Sequence, residues 1–239
     1  MKIVRAPLRI SLGGGGTDLP GWYCQNGAFL ITAAIDKYIY LTGSQRILDD
    51  KIWLSYSKIG VCDAVDDIHH ELFAECLKKF DFPLGYELHS ISELPSKTGL
   101  GSSGAFLVAT IKLLSAVERR DMTPQEVAEL ACRIEMVDLS RSSGKQDPYA
   151  SAFGGIITMD IDREGTVAAK PLKIDPDVKE RLNAGLKIYS TGILRDANDV
   201  LREQNRDIGG KRKSSIDSMQ RIQEIGFESR ERLLSGDLD

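Results

Sequence analysis

The sequence has little imbalance of charge: 31 Lys and Arg against 35 Asp and Glu leave a net charge of −4. That excludes a broad surface for nucleic acid or another polyanion. It has no apolar run of membrane-spanning length, and Met1-Lys2-Ile3-Val4-Arg5 enters a strand pattern directly, with no apolar signal region. The cysteines are Cys24, Cys62, Cys76 and Cys132, with no CxxC pair and no histidine at metal-ligand spacing. They read as reduced, mostly buried thiols of a cytoplasmic protein. His69 and His70 are adjacent, so on a helix they diverge; they read as solvated side chains and not as metal ligands. Repeats and low-complexity tracts are absent, and so is a Walker A loop: Lys97 precedes the nearby glycines instead of following them.

What the chain does have is Pro95-Ser96-Lys97-Thr98-Gly99-Leu100-Gly101-Ser102-Ser103-Gly104-Ala105, between a β-type run at Tyr86–Ile91 and an apolar helical run at Ala105–Val117. Gly99, Gly101 and Gly104 permit positive φ and close approach of a ligand. A loop feeding a helix N-terminus offers unpaired N–H groups and the positive end of the helix dipole, which suits phosphate. The plainer alternative is a capped helix, with Ser102 or Ser103 as the cap.

The 239 residues suffice for one large domain or two small ones with a sizeable core. Residues 2–12 largely alternate apolar and polar side chains, as a strand would, and end in Gly13-Gly14-Gly15-Gly16-Thr17-Asp18. Such a run serves either a tight crossing of the chain or a ligand approach, and the carboxylate and hydroxyl behind it suit sugar hydroxyls. Ala28–Ile35 and Tyr38–Thr42 read as a hairpin about Asp36-Lys37, and Ile52–Tyr56 as a short strand. Asp66–Phe80 carries a helical stripe. Thr123-Pro124-Gln125-Glu126 is a capping box opening a helix with Glu135 near its end. In Gly144-Lys145-Gln146-Asp147-Pro148-Tyr149-Ala150, Asp147 is either the N-cap of a helix beginning at Pro148 or a catalytic carboxylate at a helix start. Strands follow at Ile156–Ile161 and Thr166–Leu172. Beyond residue 173 the pattern gives one strand, Leu186–Ser190, and charged helices over 195–235. One strand cannot cover two helices, so this region reads as part of an unfinished domain.

Three separated stretches together resemble the GHMP small-molecule kinases: Ala6–Asp18 their first motif, Pro95–Ala105 their phosphate loop, and Gly144–Ala150 with Phe153-Gly154-Gly155 the segment carrying the catalytic aspartate. GGGTD, the GKQD run and Tyr189-Ser190-Thr191-Gly192-Ile193-Leu194-Arg195 are most similar to the bacterial heptose 7-phosphate kinases; fucose 1-kinases share much of the first pattern. The resemblance implies an α+β fold with an N-terminal domain like domain 2 of ribosomal protein S5 over 1–172 and the start of a ferredoxin-like domain over 173–239. The family's third, glycine-rich motif is not in the sequence, which implies a parent protein roughly 100 residues longer.

It further implies an enzyme using ATP and Mg²⁺ to phosphorylate the anomeric hydroxyl of a sugar phosphate, with a homodimer allowed. Asp147 matches the catalytic aspartate, and Arg9, standing where many members have Lys, is the second catalytic residue the resemblance implies. Pro95, Lys97, Gly99, Leu100, Gly101, Ser102, Ser103 and Gly104 would bind ATP, and Ser103 with Glu135 would hold the metal. Gly15, Gly16, Thr17 and Asp18 would bind the sugar, with Arg141, Lys145 and Arg195 as cations for its phosphate. Some proteins of this fold are instead sugar-responsive regulators without turnover; retention of Asp147, Ser103 and Glu135 favours catalysis.

Overall fold

A computed structural model describes residues 1–189, 192, 197–209 and 213–238, with the side chains of 197–199 and 209 left out. It has the expected α+β character: a seven-stranded mixed sheet with helices packed on it. In order come β1 (Lys2–Gly13), α1 (Pro20–Asn26), β2 (Ala28–Gln45), β3 (Ile52–Ser55), β4 (Ile59–Cys62), α2 (Glu71–Lys79) and β5 (Tyr86–Ser92). Then follow α3 (Ser102–Glu118), α4 (Pro124–Arg133), α5 (Gln146–Phe153), β6 (Ile156–Ile161), β7 (Val167–Pro171), α6 (Pro176–Gly185), α7 (Ala197–Gly209) and α8 (Lys213–Ser235).

β2 organises the sheet. The hairpin expected about Asp36-Lys37 does not form; the chain runs straight through as one 18-residue strand. Its first half pairs with β6 and its second half with β5, while β1 runs antiparallel along both halves. Asp36 and Lys37 are polar because they fall where the pairing register with β1 shifts, between Pro7 and Arg9, and not because the chain turns. β5 pairs in parallel with β3, and β4 closes that edge.

α3 is the buried axis. Ala105, Leu107, Val108, Ile111, Leu113 and Leu114 are inaccessible to solvent, packed between the sheet and the helices around them. An all-round apolar helix of this kind is a core element, and truncating one of these leucines to Ala costs about 2–5 kcal/mol.

Other local expectations need correction. Asp66–Phe80 is not one helix: a 3₁₀ turn at Val65–Asp67 precedes α2, whose N-cap is His70, its Nδ1 accepting from Phe73 N–H at 3.3 Å. His70 is therefore half-buried, against Tyr56, Phe73 and Phe106, while His69 is exposed as expected. Leu186–Tyr189 form no strand, and Ser190 lies outside the described residues. The capping box at Thr123 and Glu126 is present. Three of the four cysteines are buried and all are free; Cys24 is exposed.

Two of the helices after residue 173, α7 and α8, pack on the first region. α7 packs on α1, with Asn205 accepting from Gly21 N–H at 2.7 Å. α8 packs on β1 and β2: Trp22 Nε1–H donates to Gln223 at 2.7 Å, and Phe227 stacks on Phe29 at 4.2 Å. Here the glycine run divides. Gly13 and Gly14 serve a chain crossing, with Gly226 of α8 seated directly against them.

Gly14 has φ of +77°, and a Cβ there would lie 2.2 Å from the Phe29 carbonyl oxygen. Gly14→Ala is expected to cost about 3 kcal/mol in urea unfolding, from the left-handed backbone and the overpacking together. Gly60→Ala on β4, where a Cβ meets nothing, is the control and should change stability by less than about 0.5 kcal/mol. Equal effects at the two positions would contradict this packing.

Candidate active site

The loop at Pro95–Ala105, the glycine run and the start of α5 meet in one cleft of about 1410 Å³. Arg9, on β1, joins them. Its Nε and Nη2 contact Asp147 Oδ1 at 2.7 and 2.5 Å, its Nη1 donates to the Gly99 carbonyl at 2.8 Å, and its backbone N–H donates to the Leu100 carbonyl at 3.0 Å. Such a planar, multiply bonded guanidinium fixes direction as well as charge. Both side-chain contacts to Asp147 fall on Oδ1; Oδ2 faces Gly101 and accepts from no described residue.

Asp147 is not an N-cap. α5 starts at Gln146 after Lys145, without a side-chain cap, and Asp147 lies in the first turn. Gly104 explains the close approach of loop and helix: a Cβ there would stand 2.6 Å from Asp147 Cβ. Neither Ser102 nor Ser103 caps α3. The cap is Gly101, left-handed at φ 73°, and α3 begins at Ser102. The first turn of α3 leaves backbone N–H groups without intrahelical partners, and Pro95, Lys97, Gly99, Gly101, Ser102 and Ser103 line the cleft.

Two acids are buried. Asp18, 4% exposed, accepts from Gln146 N–H at 2.8 Å and Gly16 N–H at 3.1 Å, and it lines the cleft. Burial raises its pKa above the ordinary carboxylate value, against the lowering by the Gln146 amide. Glu135, 3% exposed, lies in a π-helical turn, Ile134–Asp138, that continues α4. Ser103 Oγ donates to its Oε1 at 2.7 Å and Ser143 Oγ to its Oε2 at 3.3 Å, and burial raises its pKa as well. This set is all oxygen and carries one carboxylate, which suits a hard divalent cation completed by water and phosphate. Among the described residues no cluster of His, Cys, Asp and Glu could hold a metal alone.

The remaining sequence candidates divide. Gly15 and Gly16 border a second lobe of about 470 Å³ that shares Arg9, Gly99 and Gln146 with the main cleft. Thr17 turns inward, fully buried, with its hydroxyl donating to the Gly14 carbonyl at 2.7 Å; it holds the loop's shape and offers nothing to a ligand. Arg141 lines the cleft but pairs with Glu71 at 2.7 Å. Lys145 donates to the Gly165 carbonyl and lies over the Tyr23 ring. Arg195 lies outside the described residues. Sequence reasoning passed over Gln146 and Ser143. Gln146 donates through its side chain to Ser11 at 2.9 Å and through its backbone to Asp18. Its only signal was the polar residue next to Asp147.

The raised acids set a pH dependence. A carboxyl whose folded-state pKa lies above its unfolded value leaves the folded form binding more protons, so its contribution to stability falls as pH rises from the ordinary value of 4.5 through the raised one. Glu135→Gln removes that loss. In EDTA its melting temperature should rise relative to wild type as the pH is raised above the ordinary carboxyl value of 4.5. A variant whose deficit widened with pH would contradict the burial argument.

Comparison with known proteins agrees with this geometry. The family description "GHMP kinases N terminal domain" matches residues 67–155. The chain is 31% identical to D-glycero-alpha-D-manno-heptose 7-phosphate kinase of Campylobacter jejuni, across 99% of this chain and 73% of that protein. It is 23% identical to the bifunctional fucokinase/GDP-fucose pyrophosphorylase of Arabidopsis thaliana, across 99% of this chain and 24% of that one. The fold matches the crystal structure of a D-glycero-D-manno-heptose 1-phosphate kinase from Bacteroides thetaiotaomicron with a TM-score of 0.82 at 24% identity, covering 98% of this chain and 74% of that one. No helix of the described residues is long and apolar enough to cross a membrane. With this likeness along its length, the chain belongs to the GHMP kinase family and is an ATP-dependent phosphotransferase.

Proposed function

We propose that the chain is the greater part of a cytoplasmic sugar kinase that phosphorylates the anomeric hydroxyl of D-glycero-D-manno-heptose 7-phosphate to the 1,7-bisphosphate, feeding nucleotide-activated heptose for surface glycans. In this reading residues 1–172 are the nucleotide-binding domain and 173–239 begin a second. The observation that carries it is the carboxylate of Asp147, which lines the cleft and is held by Arg9 through Oδ1 against the glycine loop, leaving Oδ2 beside Gly101. The identity to the Campylobacter heptose 7-phosphate kinase supports the acceptor.

Phosphoryl transfer proceeds through a loose transition state, so positioning and charge account for most of the rate. The amides from Gly99 to Gly104 bind the ATP phosphates, with Lys97 beside them. Ser103 and Glu135 would hold Mg²⁺, which would neutralise charge on the phosphates. Asp147 orients the acceptor hydroxyl and accepts its proton through Oδ2. Arg9 keeps Oδ1 engaged, so the acceptor meets a single, fixed oxygen. Gly15, Gly16 and Asp18 form the sugar side, Thr17 supporting them from behind. Arg141 is the cation best sited for the acceptor's phosphate, because it borders the cleft and its pairing with Glu71 is solvent-exposed. Lys145 is committed to Gly165.

The test is steady-state turnover with ATP-Mg²⁺ on a panel of phosphorylated and free sugars, using the parent protein. Heptose 7-phosphate should be consumed fastest; preference for fucose would move the assignment to a fucokinase. Asp147→Asn is expected to lower kcat at least about 10²-fold with little change in KM for ATP. Near-normal turnover would remove the role given to Asp147.

A further inference from the structure

Ser143 is not given a role of its own under the proposed function, yet it lines the cleft and lies against the buried Glu135. The chain after α4 is shaped around this carboxylate. The π-helical turn swings Glu135 inward, with Leu139 N–H bonded to the Ile134 carbonyl at 3.0 Å. Ser140 reverses the chain at a φ of +50°, and Arg141 N–H returns to the carbonyl of Glu135 at 3.0 Å. The Arg141 side chain anchors this return to α2 through Glu71. The result sets Ser143 Oγ 3.3 Å from Glu135 Oε2, on the oxygen not taken by Ser103, which is 2.7 Å from Oε1; the single Ser143 hydroxyl proton is shared with the Gly144 carbonyl, also at 3.3 Å, and the charged carboxylate is the stronger acceptor. Ser143 and Ser103 both line the cleft.

The last torsion of a glutamate is broad, so one hydrogen bond leaves its carboxylate plane loosely set. A donor on each oxygen fixes the plane. The two donors are unequal in what they can keep doing. If Ser103 turns an oxygen lone pair toward a cation, as the metal reading requires, its contact with Oε1 no longer needs to persist, and Ser143 is then the hydroxyl that still orients the carboxylate.

We propose that Ser143 is a positioning residue for the divalent-cation carboxylate, acting through Oε2 of Glu135. The proposal rests on the reading of Ser103 and Glu135 as the Mg²⁺ site. It is tested by isothermal titration of the chain with a non-hydrolysable ATP analogue, in Mg²⁺ and in EDTA. Wild type should bind more tightly in Mg²⁺. Ser143→Ala should lose about tenfold of that gain, the low end for residues that orient metal ligands, and keep the EDTA affinity. Ser143→Thr, which retains the hydroxyl, should restore it. An unchanged Mg²⁺ gain in Ser143→Ala, or an equal loss with and without Mg²⁺, overturns the role of Ser143 alone. A wild type indifferent to Mg²⁺ overturns the metal reading and this inference with it.

Discussion

The three-way attachment of Arg9 is the constraint on which the site depends. One side chain on the first strand reaches the carboxylate on α5 and the carbonyl of Gly99 in the phosphate loop, while its own amide holds Leu100. Three stretches more than 130 positions apart at the extremes are thereby brought to one point. The pair is about four-fifths buried, where losing one member leaves the other charge uncompensated. The glycines make the approach feasible. Gly104 lets the loop contact the backbone of α5, and Gly14 and Gly226 let α8 close on β1.

Much of this was legible in the sequence because glycine and charge have few alternative uses at such positions. The glycine- and serine-rich loop before a helix was readable from residue type and order, while the α+β class and the grouping of Arg9, Asp18, Ser103 and Asp147 came through the resemblance to the GHMP kinases. What was not legible depended on partners distant in sequence. Asp36-Lys37 looks like a turn, since two polar residues between apolar runs usually mark one, but pairing of β2 with three strands carries the chain through. Asp147 looks like a cap because Pro148 follows it; Arg9, distant in the sequence, claims its carboxylate instead. Thr17 belongs to the expected sugar site by position and to the loop's interior by its hydrogen bond. Ser143 and Gln146 sit in a polar run where nothing local distinguishes one residue from the next.

Two buried carboxylates, Asp18 and Glu135, add a cost that the fold does not need for its own stability. Each is desolvated and each is held by uncharged donors, from backbone at Asp18 and from hydroxyls at Glu135. Strained or costly groups of this kind gather where a ligand will later supply the missing charge balance. Here Asp18 is tied to the glycine run and Glu135 to the first turn of α3. That disposition suits the proposed two-substrate site, in which Asp147 is the proton acceptor.

The most direct test of that arrangement is a crystal structure of the chain with a non-hydrolysable ATP analogue and the acceptor sugar bound together. The account predicts the triphosphate on the amides of residues 99–104 and an acceptor hydroxyl within hydrogen-bond reach of Asp147 Oδ2. An acceptor bound away from Asp147, or a triphosphate bound off the loop, would contradict it.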